Sequence, residues 1–129
     1  MIIKDVQGKY ELDINSQRGV VFEVISGFWT LDDIQRYHQD YMTKVIPAMK
    51  NKKWAKCSDV RTYKASNITD ELNKNMGVYA QNGLVGGAMI VESAIVKMQL
   101  SRSTKNIGLD PVPFDNLKEA DEWLKSQGY

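Results

Sequence analysis

The stretch Trp54-Ala-Lys-Cys-Ser-Asp-Val-Arg61 decides how the whole chain is interpreted. Apolar and polar residues alternate along it, which predicts a β-strand. The stretch ends in an acid and a base, and the chain then continues through Thr62 and Tyr63 toward a new helix. Because ligands and partners of α/β domains bind where strands end, we expect an interaction site at the end of this strand.

Upstream of this strand, the sequence predicts a β-hairpin. Apolar and charged residues alternate from Tyr10 to Ile14, and Asn15–Gly19 has the composition of a turn. A second run, Val20–Ile25, supplies the β-branched and aromatic residues that strands favour, and Gly27 is expected to end it. The chain therefore opens with two antiparallel strands.

A helix is predicted between the hairpin and the central strand. Thr30 is placed to cap its N-terminus with Asp33 in the first turn, and Trp29 and Ile34 form a hydrophobic staple. Pro47, late in the pattern, predicts a kink or a loosened last turn. One apolar stripe is formed by residues at helical spacing, namely Ile34, Tyr37, Tyr41, Val45 and Met49.

Helices and strands continue to alternate after the central strand. In chain order, the predicted elements are a helix capped by Ser66, Asn67 or Thr69 and ending at Asn82–Gly83, a buried parallel strand Gly86–Val91, a short helix Ala94–Arg102 marked by the spacing of Ile95 and Met98, a loop Asn106–Pro113, a strand near Val112–Phe114 and a terminal helix capped by Asp115 or Asn116. This order predicts one α/β domain over residues 1–129. Its mixed sheet should have about five strands, an antiparallel hairpin followed by parallel strands, flanked by about four helices.

The composition narrows the classes of function. In 129 residues, 17 basic side chains stand against 16 acidic ones, so the net charge of +1 gives no field that attracts nucleic acid. With one cysteine, Cys57, and one histidine, His38, we expect neither a metal nor a cofactor. Cys57 should be an inert, buried strand residue and His38 a surface or half-buried one. No segment approaches the ~20 apolar residues of a membrane span, and no signal peptide is evident, so a cytoplasmic protein is predicted.

Four short motifs together resemble a known family. They are, in order, Gly27-Phe-Trp-Thr-Leu-Asp-Asp33, then Trp54-Ala-Lys56 leading into Asp59-Val-Arg61, then Gly83 before the apolar strand, and last Phe114-Asp115 with Glu119-Ala120 and Trp123-Leu124. The pattern is similar to the STAS-like family, the small domains related to bacterial anti-sigma-factor antagonists and to the cytoplasmic tail domains of sulfate transporters. The resemblance implies a mixed sheet with helices, acting through protein partners or small bound ligands and not through catalysis.

One position departs from that family. Its antagonists carry a phosphorylatable serine just after the acid at the end of the central strand, where this chain has Val60-Arg61. Ser58 precedes Asp59 and would point to the other side of the strand. The resemblance therefore implies the fold and the location of an interaction edge without the serine phosphorylation switch, as in the uncharacterised stand-alone branch of the family.

Asp59 and Arg61 are the first candidate site residues. Two positions apart in a strand, they share a face, where an arginine fork beside a carboxylate could receive an anionic group or a partner's acid. The alternative is structural, with Asp59 bonding the backbone of the following loop and Arg61 pairing with it or with a helix carboxylate. Tyr63, next in the alternation, either lines the same groove or covers the edge of the core.

Aromatic and methionine side chains form the second candidate site. Trp29, Tyr37 and Tyr41, with several methionines, either pack an ordinary core or line an adaptable apolar cavity between the sheet and the first helix. The glycine-bearing stretch Gly83–Gly87 matches neither a dinucleotide-binding nor a phosphate-binding loop. We expect it to turn the chain between helix and strand.

Two functions follow from these candidates. A non-enzymatic regulatory or protein-interaction domain would act through the edge made by Asp59, Arg61 and Tyr63, and a homodimer is compatible with so small a unit. The alternative is a carrier or sensor of a small apolar or amphipathic ligand bound between sheet and helices. Enzymatic activity is not expected, because Asp59 could serve as a base but no second group with an opposed pKa accompanies it.

Overall fold

A computed structural model describes residues 1–104 and 107–129, so Asn106, the first residue of the predicted loop, lies outside the described residues. The described chain forms a sheet of six strands with helices on both faces. A π-helical turn, Tyr41–Val45, joins the first two helices. The strands are β1 Ile2–Lys4, β2 Tyr10–Asn15, β3 Val20–Phe28, β4 Trp54–Lys64, β5 Leu84–Ile90 and β6 Val112–Phe114, and the helices are α1 Leu31–Asp40, α2 Ile46–Ala48, α3 Thr69–Gln81, α4 Ala94–Ser103 and α5 Leu117–Ser126.

The strands lie side by side in chain order. β1, β2 and β3 are antiparallel neighbours, and β3 to β6 run parallel. This confirms the predicted α/β class and the hairpin followed by parallel strands. The additional strand is β1, a three-residue edge strand in which only Ile3 is buried. So short a segment carries no alternation by which a sequence pattern could reveal it. β3 also continues through Gly27, the predicted strand end, to Phe28.

Helix α1 begins as predicted, with Thr30 and Asp33 forming a capping box. The Thr30 backbone N–H donates to the Asp33 carboxylate at 2.8 Å, which satisfies a group that has no partner inside the helix. The predicted apolar stripe is entirely buried. The loosened turn precedes Pro47 and lies at Tyr41–Val45, where the Ile46 N–H bonds back to the carbonyl of Tyr41. π-helical turns are rare and occur mostly as single turns of this kind inside α-helices.

Two apolar layers hold the sheet. The larger layer lies between the sheet and the helices α1, α3 and α4, and it includes Trp29, Trp54 and Tyr79. The smaller layer lies under α5, where Ala120 and Leu124 pack on residues of β3, β4 and β5. Cys57 lies in this smaller layer, and burial raises the pKa of its thiol to about 12, so it is the inert strand residue that the sequence predicts.

Two predicted turns differ from the structure. None of Ser66, Asn67 and Thr69 caps α3, which follows Ile68 without a side-chain cap; the Ser66 hydroxyl instead accepts the Trp29 backbone N–H at 2.8 Å. Gly83 does end α3, with a positive φ of 100°. Gly86 and Gly87, however, lie inside β5 and not in the turn, because the strand begins directly after Gly83. Gly87 allows the Lys56 backbone of β4 to approach closely.

Candidate functional site

A bulge in β4 separates the three residues predicted at its end. Pairing with β3 advances three residues on β4, from Asp59 to Thr62, against two on β3. An extra residue reverses the alternation beyond it. Val60 and Tyr63, three positions apart, are therefore both buried in the larger core layer, while Arg61 is exposed. Of the two alternatives for Tyr63, the groove shared with Asp59 and Arg61 is wrong, and the core position is the one observed.

Asp59 and Arg61 pair with each other at the exposed rim of the sheet. The guanidinium donates from Nε to Oδ1 at 3.0 Å and from Nη2 to Oδ2 at 2.7 Å, and the Arg61 backbone N–H also reaches Oδ1. The hydrogen bond from Arg61, against a smaller opposing effect of burial, holds the pKa of Asp59 below its ordinary value. This pairing is the structural alternative given in the sequence analysis. An incoming anion would compete with Asp59 for the same N–H groups of the Arg61 guanidinium.

The predicted aromatic residues Trp29, Tyr37 and Tyr41 lie together in the larger apolar layer, on the face of the sheet that α1, α3 and α4 cover. Each is at most 3% exposed. The Tyr37 ring lies 5.3 Å from that of Trp29 and 4.7 Å from that of Tyr41, and Tyr41 stacks on Tyr79 at 4.7 Å. They form part of the core, which is the first of the two alternatives given in the sequence analysis. Trp29 and Tyr37 also border a cavity.

Beneath these rings lies a buried ion pair, Glu23 of β3 with Lys56 of β4. Lys56 Nζ is 3.0 Å from Glu23 Oε1, and the two side chains are 10% and 3% exposed. Glu23 accepts three further hydrogen bonds: Oε2 takes the hydroxyls of Tyr37 and Tyr41, each at 2.6 Å, and Oε1 takes the hydroxyl of Ser58 at 2.7 Å. A buried carboxylate requires such hydrogen-bond donors and a counter-charge, because water cannot reach it to supply them.

The position of Lys56 is fixed by aromatic rings as well as by the carboxylate. Its ammonium lies 5.4, 5.1 and 5.9 Å from the ring centres of Tyr37, Tyr41 and Tyr79, distances at which a cation is attracted to a π face. Nζ also donates to the Tyr37 hydroxyl at 2.7 Å. Its remaining contact is the thioether sulfur of Met76 at 3.8 Å, which is a weak acceptor.

The electrostatics of this cluster keep it in one protonation state. Burial opposes ionisation of Glu23, but the charge of Lys56 and the three hydroxyl donors outweigh it and lower the pKa of Glu23. Burial, and then the charge of Glu23, raise the pKa values of Tyr37 and Tyr41 well above the ordinary value of tyrosine. Glu23 is therefore a carboxylate and both tyrosines are neutral donors at physiological pH.

His38 continues this cluster toward the surface. Its Nδ1 lies 2.9 Å from the hydroxyl of Tyr79, and the imidazole is half-buried, as the sequence predicts. Burial, helped by the nearby charge of Lys74, lowers the pKa of His38. The neutral imidazole can accept the Tyr79 hydroxyl and so orient the ring that lies over Lys56.

A cavity of about 90 Å³ lies between β3, β4 and β5 of the sheet and helices α3 and α4, directly beside the ion pair. Its polar border includes Glu23, Lys56 and Ser58. Gly86 and Gly87 of β5 also border it, and a Cβ at Gly86 would meet open space. The apolar wall includes Leu72, Met76, Met89, Leu100 and Leu109.

Glu23 and Lys56 are the site residues that sequence reasoning missed. Each stands as a charged residue inside an otherwise apolar part of a strand: Glu23 within Val20–Ile25 and Lys56 between Ala55 and Cys57. Charged residues are seldom buried unless they are paired. Two opposite charges in neighbouring predicted strands could therefore have indicated a buried ion pair. The bulge that turns Tyr63 inward leaves no comparable pattern in the sequence.

The elements described above form a SpoIIAA-like fold. A solved structure of an uncharacterized protein of the DUF3478 family with a SpoIIAA-like fold, from Shewanella loihica PV-4, superposes with a TM-score of 0.65 over 88% of this chain and 90% of that chain, at 10% identity. No family model and no curated protein matches the chain. The fold that the resemblance implied is thus confirmed.

Two further structural findings concern the described residues alone. Within 1–104 and 107–129, no helix combines the length and apolar character needed to cross a bilayer. In the same part of the chain, no three histidine, cysteine or acidic side chains are grouped as metal ligands would be.

Proposed function

We propose that this chain is a non-catalytic binding domain of STAS-like fold that carries or senses a small apolar or amphipathic molecule in the cavity between sheet and helices. The observation that carries the proposal is a preformed cavity of about 90 Å³ against a buried ion pair. Binding sites for small molecules commonly combine an apolar concave wall with a few fixed polar groups.

The cavity has the features of a space kept open for a ligand. Protein interiors are packed to the density of organic crystals, and voids much larger than a water are few. Here β5 borders the space with Gly86, at which an added Cβ would meet no atom within 4 Å. Flexible walls such as Met76 and Met89 adapt to varied apolar shapes. Water is a poor occupant for such a mainly apolar space, because each buried water requires several polar partners.

The polar groups at the cavity support binding over catalysis. Both oxygens of Glu23 are occupied by hydroxyl groups and by Lys56. A general base must be free to accept a proton from its substrate, and this carboxylate, with its lowered pKa, is committed to the fold. We therefore assign Glu23 and Lys56 the role of a fixed polar wall.

Filling the cavity should remove the bound molecule. Leu72 lies on α3, is half-buried and borders the cavity, so a Leu72→Trp side chain can occupy the space, while Leu72→Met conserves volume. In native mass spectrometry of freshly purified protein, we expect wild type and Leu72→Met to carry a small-molecule mass that Leu72→Trp lacks. The proposal fails if wild type is recovered empty or if Leu72→Trp keeps the added mass. The same spectra report whether the chain is a dimer.

A second candidate function is favoured by the exposed rim of the sheet. Val24 of β3 is 42% exposed and lies opposite Asp59 of β4, the partner of Arg61, while Phe28, 59% exposed, lies farther along β3 opposite Lys64. Apolar side chains next to a charged pair fit the regulatory or protein-interaction role predicted from the sequence. Under this hypothesis the rim, and not the cavity, is the site.

Replacing Arg61 by alanine distinguishes a partner site from a structural pair. Because the guanidinium is exposed and its partner Asp59 stays at the surface, we expect Arg61→Ala to leave the melting temperature unchanged. If the rim binds a partner protein, its affinity should fall at least about tenfold, as for a charged residue within an interface. A large drop in melting temperature, measured by calorimetry, would show that the pair serves stability instead.

A further inference from the structure

We propose that the molecule in the cavity is uncharged, is small, and carries one hydrogen-bond acceptor oxygen, such as a carbonyl, that binds the ammonium of Lys56. This inference rests on the proposed function and specifies its ligand. It follows from three features of the cavity: the incomplete hydrogen bonding of Lys56, the charge balance of the lining, and the volume.

The first feature is the third hydrogen of the Lys56 ammonium. An ammonium has three donors. Nζ donates one of them to the hydroxyl of Tyr37 at 2.7 Å and forms an ion pair with Glu23 Oε1 at 3.0 Å. The third is left with the Met76 sulfur at 3.8 Å and the faces of the neighbouring tyrosine rings, and both Lys56 and Met76 border the cavity. A ligand oxygen is a far better acceptor than a thioether, so it would displace the flexible Met76 side chain.

The second feature is charge. Among the described residues that border the cavity, Glu23 and Lys56 are the charged ones, and they neutralise each other. A carboxylate ligand would place a second negative charge beside Glu23 in a region from which water is excluded, and a cationic ligand would face Lys56. Either ion would be buried without an uncompensated counter-charge, because Glu23 and Lys56 already balance each other, and this is strongly unfavourable. A neutral acceptor adds a hydrogen bond and no charge.

The third feature is size. The cavity of about 90 Å³ is several times larger than the ~15 Å³ that a water requires and smaller than the ~150 Å³ of a cavity that holds benzene. It therefore fits a slim ligand or the slim end of a longer one, and a ligand as large as butan-2-one requires the flexible Met76 side chain to move aside. Leu72, Met89 and Leu100 surround the body of such a ligand with apolar surface.

Three probes of one shape test the inference: butan-2-one, propanoate and 2-methylbut-1-ene. They share a branched skeleton and differ only in being a neutral acceptor, an anion and a hydrocarbon. Each is titrated into the wild-type protein at pH 7, and binding is followed by the NMR shifts of the methyl groups of Leu72 and Met89. We expect butan-2-one to bind within a few-fold of the alkene, because its oxygen exchanges water for Lys56, and at least tenfold more tightly than propanoate.

Each other outcome is decisive. If butan-2-one binds more than tenfold more weakly than the alkene, its carbonyl is unpaired, and the inference fails while cavity binding stands. If propanoate matches butan-2-one, the site accepts anions and the inference also fails. If none of the probes shifts these methyl groups, the proposed function fails together with the inference.

A double variant removes the donor without leaving a lone charge. In Glu23→Gln with Lys56→Met, both members of the ion pair become neutral, which buried pairs tolerate far better than single replacements. We expect this variant to bind the alkene as wild type does and to bind butan-2-one at least tenfold more weakly. Unchanged binding of butan-2-one would show that Lys56 does not hold the oxygen. If the variant does not fold, the comparison of the three probes on wild type still decides.

Discussion

Replacing Gly87 by alanine should lower the free energy of unfolding by more than about 4 kcal/mol, a large share of the roughly 5–15 kcal/mol that stabilises a domain. Gly87 lies in β5 opposite Lys56 of β4, and a Cβ at this position would collide with the backbone carbonyl of Lys56. The obstacle is backbone in the middle of the sheet, so it cannot move aside as a flexible side chain would. The measurement is urea unfolding followed by circular dichroism.

Gly77 provides the matched control. It lies within α3, and a Cβ there would meet no atom within 4 Å. Gly77→Ala should therefore stabilise the protein by about 0.5–1 kcal/mol, because glycine in a helix interior costs that much relative to alanine. If Gly87→Ala unfolds at the same urea concentration as wild type, the close pairing of β4 with β5 at the cavity is wrong.

Replacing Glu23 by glutamine should lower the free energy of unfolding by about 3–5 kcal/mol. The substitution conserves shape but leaves Lys56 buried without its counter-charge, and a buried unpaired ammonium is among the most costly groups a core can contain. Urea unfolding at pH 7 measures the loss.

Two further variants show whether the loss comes from burial of the charge. Asp59→Asn removes a carboxylate from the exposed pair on the neighbouring part of β4 and should cost no more than about 1 kcal/mol. Combining Glu23→Gln with Lys56→Met should restore most of the stability, because no lone charge remains. If the Glu23→Gln variant were as stable as Asp59→Asn, the claim that Glu23 and Lys56 form a buried ion pair would be wrong.

Much of the fold could be predicted because local rules and packing agree in it. Thr30 and Asp33 cap α1 as their sequence spacing requires, and the apolar stripe after them is buried. The uncharged strand β5 lies between β4 and β6, where both faces are covered. In each case the residue's own propensity and its place in the core favour the same structure.

Helix α4 shows where pattern reasoning fails. Its helical span is confirmed, but Ile95 and Met98, whose spacing indicated it, are 70% and 55% exposed. The side turned inward includes Gln99, which accepts from the hydroxyl of Tyr63 at 3.1 Å and from the Ser66 backbone N–H at 3.1 Å. A buried polar residue that satisfies the core cannot be recognised from hydrophobic periodicity, since its partners come from a distant strand and loop.

Only part of the candidate site could be predicted from the sequence, because the rest depends on contacts between distant strands. Trp29, Tyr37 and Tyr41 could be identified as core or cavity residues because their spacing places them on one side of the chain. The ion pair of Glu23 and Lys56 depends on the register of two parallel strands, and the inward turn of Tyr63 depends on a one-residue bulge. Register and bulges are set by the whole sheet and leave little trace in a single strand.

The central claim is that the cavity beside Lys56 receives a neutral acceptor, and a crystal structure of the protein grown with butan-2-one tests it most directly. We predict the ketone inside the cavity, with its oxygen about 3 Å from Lys56 Nζ and its carbon chain against Leu72 and Met89. A cavity closed by its own side chains, or a ketone found only on the surface near Asp59 and Arg61, would contradict the account.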